Sequence, residues 1–498
     1  MLSTSEIKKF IDDDISSVKK RKAAEGQRYY DAKHDILNCR FFYYNKDEKL
    51  VEDNYRANNK ICHPFFTELS DQLTAHMLSF ENNPIRAKEK VDGLQEHLDN
   101  YFDENFWAEV SELISGTYNK GFEYLYCYKN AENKLVFECA DSMGVVEVSE
   151  KESSDKQKYI IYWYIDRIDK NNKKIKKIQV WSATDVTYFQ QVNSGQVVPD
   201  SEMKPNTLPH VVFTDENNER TGIPLGFIPF FRLDLNRKQI SGLQPIKGLI
   251  DDYDIMQCGL SNNLADFDTP LHVVKGFEGD DLDKLQINLK TKKVVGVDEE
   301  GEIDVKTVAI PYQARQAKAA DDEKNIYRFG MGLNTSGLKD TTATTNLAIK
   351  AAYALLDMKS DKLEIRLKKL LKKIIKIVLD EINAEYGTDY QLKDVEIKFE
   401  RSTLTNDTEN ITNEKTKADT EQVRITTILN IAASVGEEQT LKAICEVMDW
   451  DFKEIQSQLE KMKAEDDLQA AKNALADVEP TEPIETPTEE EIIESGAE

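Results

Sequence analysis

Three carboxylates stand close together at Asp251, Asp252 and Asp254. Grouped acids of this kind can hold a divalent metal for phosphoryl chemistry. On a helix, however, Asp251 and Asp254 share a face while Asp252 points away, so the preferred reading is a solvated or intersubunit face. A second candidate is Gly332-Leu333-Asn334-Thr335-Ser336-Gly337-Leu338-Lys339, the nearest approach to a phosphate-cradling GxxxxGK[ST] loop. Its lysine is displaced by one place and a helical pattern, not a strand, precedes it, so no cradle forms. The sequence contains no GxSxG elbow, GxGxxG fingerprint or HExxH helix. Its six cysteines (Cys39, Cys62, Cys127, Cys139, Cys258 and Cys445) include no CxxC, and their spacing suits neither zinc nor a disulfide framework. Buried, reduced thiols are expected. Cys62-His63 is the one Cys/His neighbour pair, and it is read as packing. No catalytic residue, metal site or cofactor is expected, and the chain does not read as an enzyme.

The bulk properties agree. The 498 residues are enough for about three domains. A formal net charge of -26 argues against a sequence-reading nucleic-acid binder, whose footprint is a basic face. It is compatible with DNA that slides past without being gripped. No apolar run reaches the length of a membrane span. The segment Met1 to Glu6 lacks the pattern of a signal peptide, so the chain is expected to remain in the cytosol that makes it.

The elements fall into an ordered series. Residues Ser5 to about Asn38 read as helix, with Lys19-Lys20-Arg21-Lys22 as a solvated basic face. Aromatic alternating runs such as Phe122 to Tyr128 and Tyr159 to Ile165 read as sheet. Residues 1–235 therefore form an expected α+β domain. A helical segment from Asn236 to Asp266, its clear pattern starting at Ser241, leads to a strand at Leu271–Phe277. A further strand pair is expected at Lys293–Val297 and Ile303–Lys306. Helix returns over Gln313–Phe329. A Gly/Thr/Ser-rich loop, 330–346, then precedes a helix of roughly forty residues, Leu347 to Tyr386, about 60 Å long. Its apolar stripe is Leu363, Leu367, Leu370, Leu371, Ile374, Val378 and Ile382. A basic face carries Lys362, Arg366, Lys369, Lys373 and Lys376, read as meeting acidic neighbours in an assembly in preference to DNA. A strand at Val395–Phe399 and a mostly helical region, 407–477, follow. The tail, 478–498, has three prolines, eight glutamates and no basic residue, so disorder is expected. A helix out, a small β excursion, a helix back, a threonine-rich loop and a very long helix read as one wall segment of a multi-copy assembly.

Several segments, in order, resemble the portal proteins of tailed bacteriophages, specifically long-tailed phages of Gram-positive hosts. They are Asn58-Asn59-Lys60-Ile61 with Phe65-Phe66; the Asn82-Asn83-Pro84 turn; Ile223-Pro224 through Ser241 to Asp254; and Asn262-Asn263-Leu264-Ala265-Asp266-Phe267. The likeness covers about residues 25–465. The resemblance implies a portal-type α+β fold with these parts: an α/β wing (1–235), a two-helix stem (236–266 and 311–329), a β clip (267–310), a tunnel loop (330–346), a long wing helix and strand (347–400), a helical crown (401–477) and the acidic tail.

It also implies a ring of about twelve copies at one capsid vertex, through which double-stranded DNA enters and leaves without sequence preference. The implied partners are the large terminase subunit, a head-tail adaptor protein, and major capsid and scaffolding proteins. No membrane is involved; the place is the virion, and the host cytoplasm during assembly. Asn334, Thr335, Ser336, Lys339, Thr341, Thr342, Thr344 and Thr345 would line the tunnel, where hydroxyls make sequence-blind phosphate contacts and glycines supply flexibility. His272, Lys275, Phe277, Lys292, Lys293, Asp298 and Glu299 would be the clip surface for terminase and adaptor. The alternatives are an acidic scaffolding or adaptor protein without a channel, and a nucleic-acid enzyme with an unrecognised site.

Overall fold

The computed structural model describes the chain except residues 1, 46, 55, 89–90, 131–132, 150–156, 215–219, 268–270, 276–301, 307–310, 336–345, 402–406, 449, 460 and 462–498. The chain divides into two compact units, Met1–Leu404 and Thr405–Glu498. Arg401 belongs to the first, where its guanidinium meets Glu364 and Asp361.

The expected single N-terminal helix is two, α1 (Thr4–Ser16) and α2 (Val18–Tyr30). Ser17 breaks it. Its backbone is extended, and its hydroxyl accepts from the Lys20 N–H as the cap of α2. The break turns the first half of the basic run inward, while Arg21 and Lys22 stay exposed. Lys20 is buried, pairs with Asp14 at 3.1 Å, and donates to the carbonyls of Val145 and Ser142. Lys19 sits 3.8 Å above the Phe122 ring. The solvated-face reading of Lys19 and Lys20 is thereby corrected.

Next come a hairpin, β1 (Phe42–Tyr44) with β2 (Leu50–Glu52), then α3 (Phe65–Met77), β3 (Ile85–Ala87), α4 (Leu94–Tyr101) and α5 (Glu104–Lys120). The aromatic runs are strands, as expected. They are β4 (Phe122–Lys129), β5 (Leu135–Ala140), β6 (Val145–Ser149), β7 (Gln157–Ile168), β8 (Lys174–Trp181), β9 (Asp185–Val192), β10 (Val197–Pro199) and β11 (Thr207–Pro209). Completing the set are β12 (Val211–Thr214), β13 (Arg220–Ile223) and β14 (Phe230–Asp234). Strands β6 to β10 form an antiparallel meander with β11 added on β9, while β4 lies between β14 and β5. Tyr126 pairs with both Phe230 and Glu138.

Helix α6 is Lys247–Phe267, not Asn236 or Ser241 onward. Residues 236–246 form turns because the Asn236 side-chain oxygen accepts from the Lys238 and Ile240 N–H groups, and Gln239 adopts φ +55°. Strand β15 (Leu271–Lys275) pairs antiparallel with β16 (Glu302–Lys306), placing Val273 opposite Asp304. The expected strand at 293–297 lies outside the described residues. Helix α7 (Tyr312–Gly330) returns, and α8 (Asn346–Tyr386) is the long helix. All seven apolar positions anticipated on α8 are buried. They join α3, α5 and β4 in the largest apolar cluster. Strand β17 (Val395–Ile397) pairs with β3. The second unit contains α9 (Asp407–Val435) and α10 (Glu437–Met448), separated at Gly436, where φ is +94°. A further helical stretch spans 452–459. The tail, 478–498, lies outside the described residues.

Candidate functional site

Helices α6 and α7 run antiparallel and carry the β15–β16 pair at their far end. Lys318 of α7 bridges Asp252 of α6 and Asp322 of its own helix. The Arg315 guanidinium donates to the Met256 carbonyl at 3.4 Å. A methyl group at Gly259 would stand 2.9 Å from that guanidinium, so glycine here leaves room for the Arg315 side chain to lie against α6.

Another face of α6 is covered by an extended strap, residues 57–63. The backbone N–H groups of His63, Ile61, Asn59 and Ala57 donate in turn to Asp254 (3.0 Å), Cys258 (3.2 Å), Asn262 (2.6 Å) and Asp266 (2.9 Å). Alternate strap residues thus meet every fourth helix residue, running antiparallel. The match is geometric: four helical residues rise about 6 Å, and two extended residues span about 6.6 Å. Burial keeps the Cys258 thiol above its ordinary pKa, so it serves as a neutral hydrogen-bonding group.

At the top of this ladder lies a buried polar node. Asp254 is fully buried and receives His34 Nδ1 at 2.6 Å and His63 Nδ1 at 2.7 Å. Burial alone would raise its pKa, but the hydrogen bonds from the two histidines hold it below the ordinary carboxylate value. Tyr29 stacks on His34 at 4.6 Å, and its hydroxyl donates to Asp251. Lys247 ties Asp251 to Asp35 at 2.7 and 2.6 Å. The three aspartates therefore face three different sets of partners. Asp254 is not on a solvated or intersubunit face, and His63 does more than pack. Among the described residues no group of three side chains could hold a metal.

The end of α7 is held as firmly. Lys359 of α8, 8% exposed, donates to the carbonyls of Gly330 (3.0 Å) and Leu69 (3.3 Å) and to the Tyr118 hydroxyl (3.2 Å). Desolvation lowers its pKa to about 7. Gln72 grips Leu333 through both its backbone N–H and its carbonyl, each at 2.9 Å. A methyl group at Gly330 or Gly332 would approach Leu69 to 2.6 or 2.0 Å. These two glycines provide room for Leu69, which corrects the expectation that they supply flexibility.

Of the expected tunnel residues, Asn334 is half-buried and Thr335 exposed. Ser336, Lys339, Thr341, Thr342, Thr344 and Thr345 lie outside the described residues. Of the expected clip residues, His272 and Lys275 lie on β15, opposite Val305 and Glu302. Phe277, Lys292, Lys293, Asp298 and Glu299 lie outside the described residues.

The family model for phage portal proteins of the SPP1 Gp6-like type matches residues 9–471. This chain belongs to that family. Portal proteins of two phages are similar to it. That of Bacillus phage SPP1 is 23% identical over 388 residues, 77% of this chain and 75% of the relative. That of Clostridium phage phiCD119 is 24% identical over 416 residues, 79% and 85% of the two chains. The portal family is structural, and the mixed helix-and-sheet architecture fits it. No helix among the described residues is long and apolar enough to cross a membrane.

Sequence reading did not find the strap, the His34–Asp254–His63 node or buried Lys359. A signal for the strap was present. Asp254, Cys258, Asn262 and Asp266 repeat hydrogen-bonding side chains every four residues on a helix, beside a segment, 57–63, with no helical or strand pattern of its own.

Proposed function

We propose that the protein is the portal of a tailed phage: a ring of about twelve copies at one capsid vertex, through which double-stranded DNA enters during packaging and leaves during ejection. The observation that carries this is the order of elements within the family match. An antiparallel helix pair, α6 and α7, bears an antiparallel β pair at its tip and is followed by a 41-residue helix. In this reading α6 and α7 are the stem and residues 267–310 the clip, which meets the large terminase subunit and later a head-tail adaptor. Residues 334–345 face the DNA. Residues 1–235 with α8 form the wing, and α9 with α10 form the crown. Capsid and scaffolding proteins surround the ring, and the protein ends in the virion. The paired hydrogen bonds that fix α6 and the end of α7 support a wall that stays rigid while DNA moves past it.

A nonsense mutation in the encoding gene tests the reading. Heads should then be made without DNA, and supplying the protein in trans should restore filled heads. DNA-filled heads lacking this protein would overturn it.

A further inference from the structure

The long helix α8 carries a ridge that the first unit leaves uncovered. Lys362, Arg366, Lys369, Lys373 and Lys376 follow one another at intervals of four, three, four and three residues, so they line one helical face. All are exposed except the half-buried Arg366. Among the described residues none has a carboxylate at ion-pair distance. Three acids near them on α8 are engaged elsewhere: Asp361 with Arg401, Glu364 with Lys368 and Arg401, and Glu381 with Lys129. Exposed Asp380, one turn beyond Lys376, ends the ridge. Apolar side chains share the ridge. Ile365 is 72% exposed and Met358 53%.

Like charges at this spacing repel one another and weaken the helix that holds them. The chain as a whole carries a formal net charge of -26, so acidic side chains outnumber basic ones. The same unit offers exposed carboxylates of its own, among them Glu96, Asp99 and Glu104 on α4 and α5. We propose that the α8 ridge is the surface on which a second copy of this chain docks through its acidic side. The inference rests on the ring reading above and adds the surface that closes it. A head-to-tail ring needs two different, complementary patches on each copy, and a cationic ridge on an acidic chain meets that need. Exposed Ile365 and Met358 favour a protein partner over DNA, because phosphate contacts need cations and polar groups but no aliphatic cover.

The test compares native mass across a concentration series, at low and moderate salt, for the full chain and for the triple variant Lys362→Glu, Lys369→Glu, Lys373→Glu. A neutral triple variant, Lys→Gln at the same positions, is measured beside them. None of the three lysines makes an ion pair within the described chain, so an unchanged melting curve reports an intact fold. The wild type is expected to form rings. The glutamate variant should stay monomeric to at least tenfold higher concentration, the glutamine variant should fall between, and added salt should narrow the differences. Rings formed equally well by all three overturn the proposal. So do variant rings that form normally but hold DNA less well, which would make the ridge a DNA face. A wild type that never forms rings overturns the ring reading itself, and this interface with it.

Discussion

Lys359 donates a hydrogen bond to the carbonyl of Gly330, 3.0 Å away and 29 residues earlier in the chain. That bond joins the end of α7 to the long helix across the segment assigned to the tunnel. A lysine buried there without a carboxylate loses most of its hydration, so its charged form is disfavoured.

The consequence is a pH signature. The folded pKa of Lys359, about 7, lies below its ordinary 10.5. Between those values the unfolded chain binds more protons than the folded one, so stability rises with pH across that window. Below pH 7 both states are protonated and the penalty is complete. Relative to Lys359→Met, the wild type should gain on the order of 2 kcal/mol between pH 7 and pH 9, read from urea melts. A difference that stays flat with pH would contradict this account of the lysine.

Asp254 should be the most sensitive acid on α6. Asp254→Ala leaves His34 and His63 without their shared acceptor and frees the top of the strap. A loss of roughly 3 kcal/mol is expected in thermal or urea unfolding. The sign with pH is opposite to that of Lys359. Because the folded pKa is depressed from 3.8, the contribution is complete above that value and is lost as pH falls through the folded pKa. A change under 0.5 kcal/mol would show that the node carries no net stability.

Gly332→Ala should destabilise by about 1–3 kcal/mol through overpacking against buried Leu69. Combining it with Leu69→Ala should recover part of the loss, since the two changes share one space. Strict additivity in the double-mutant cycle would mean that the methyl group clashes elsewhere.

The strap should exchange its amide hydrogens as a ladder. Ala57, Asn59, Ile61 and His63 should be protected together. Asn262→Ala should accelerate exchange at Asn59 first, at a cost of about 1 kcal/mol in stability. Uniformly fast exchange through 57–63 in the wild type would show that the strap is not held.

What was legible in the sequence follows from periodicity. The apolar stripe of α8 repeats at helical spacing through Leu363, Leu371, Val378 and Ile382, and burial of that stripe is what holds the helix. The aromatic strands alternate for the same reason. The errors came where single side chains override pattern. Ser17 divides one helical run into α1 and α2, and Asn236 holds 236–246 in turns. Lys20 and Lys359 look like surface residues in the sequence. Their burial depends on carbonyls supplied by Ser142, Val145, Leu69 and Gly330, and only the folded chain brings these together. Local pattern also cannot show that strap and helix stay in step, since that depends on two segments about 200 residues apart.

The most direct measurement of the central claim is the native mass of the purified chain, taken with end-on electron micrographs of the same peak. The account predicts about twelve times the 57.0 kDa chain and rings with an open centre. A 57.0 kDa monomer, or closed particles with no central hole, even after co-expression with the capsid protein, would contradict it.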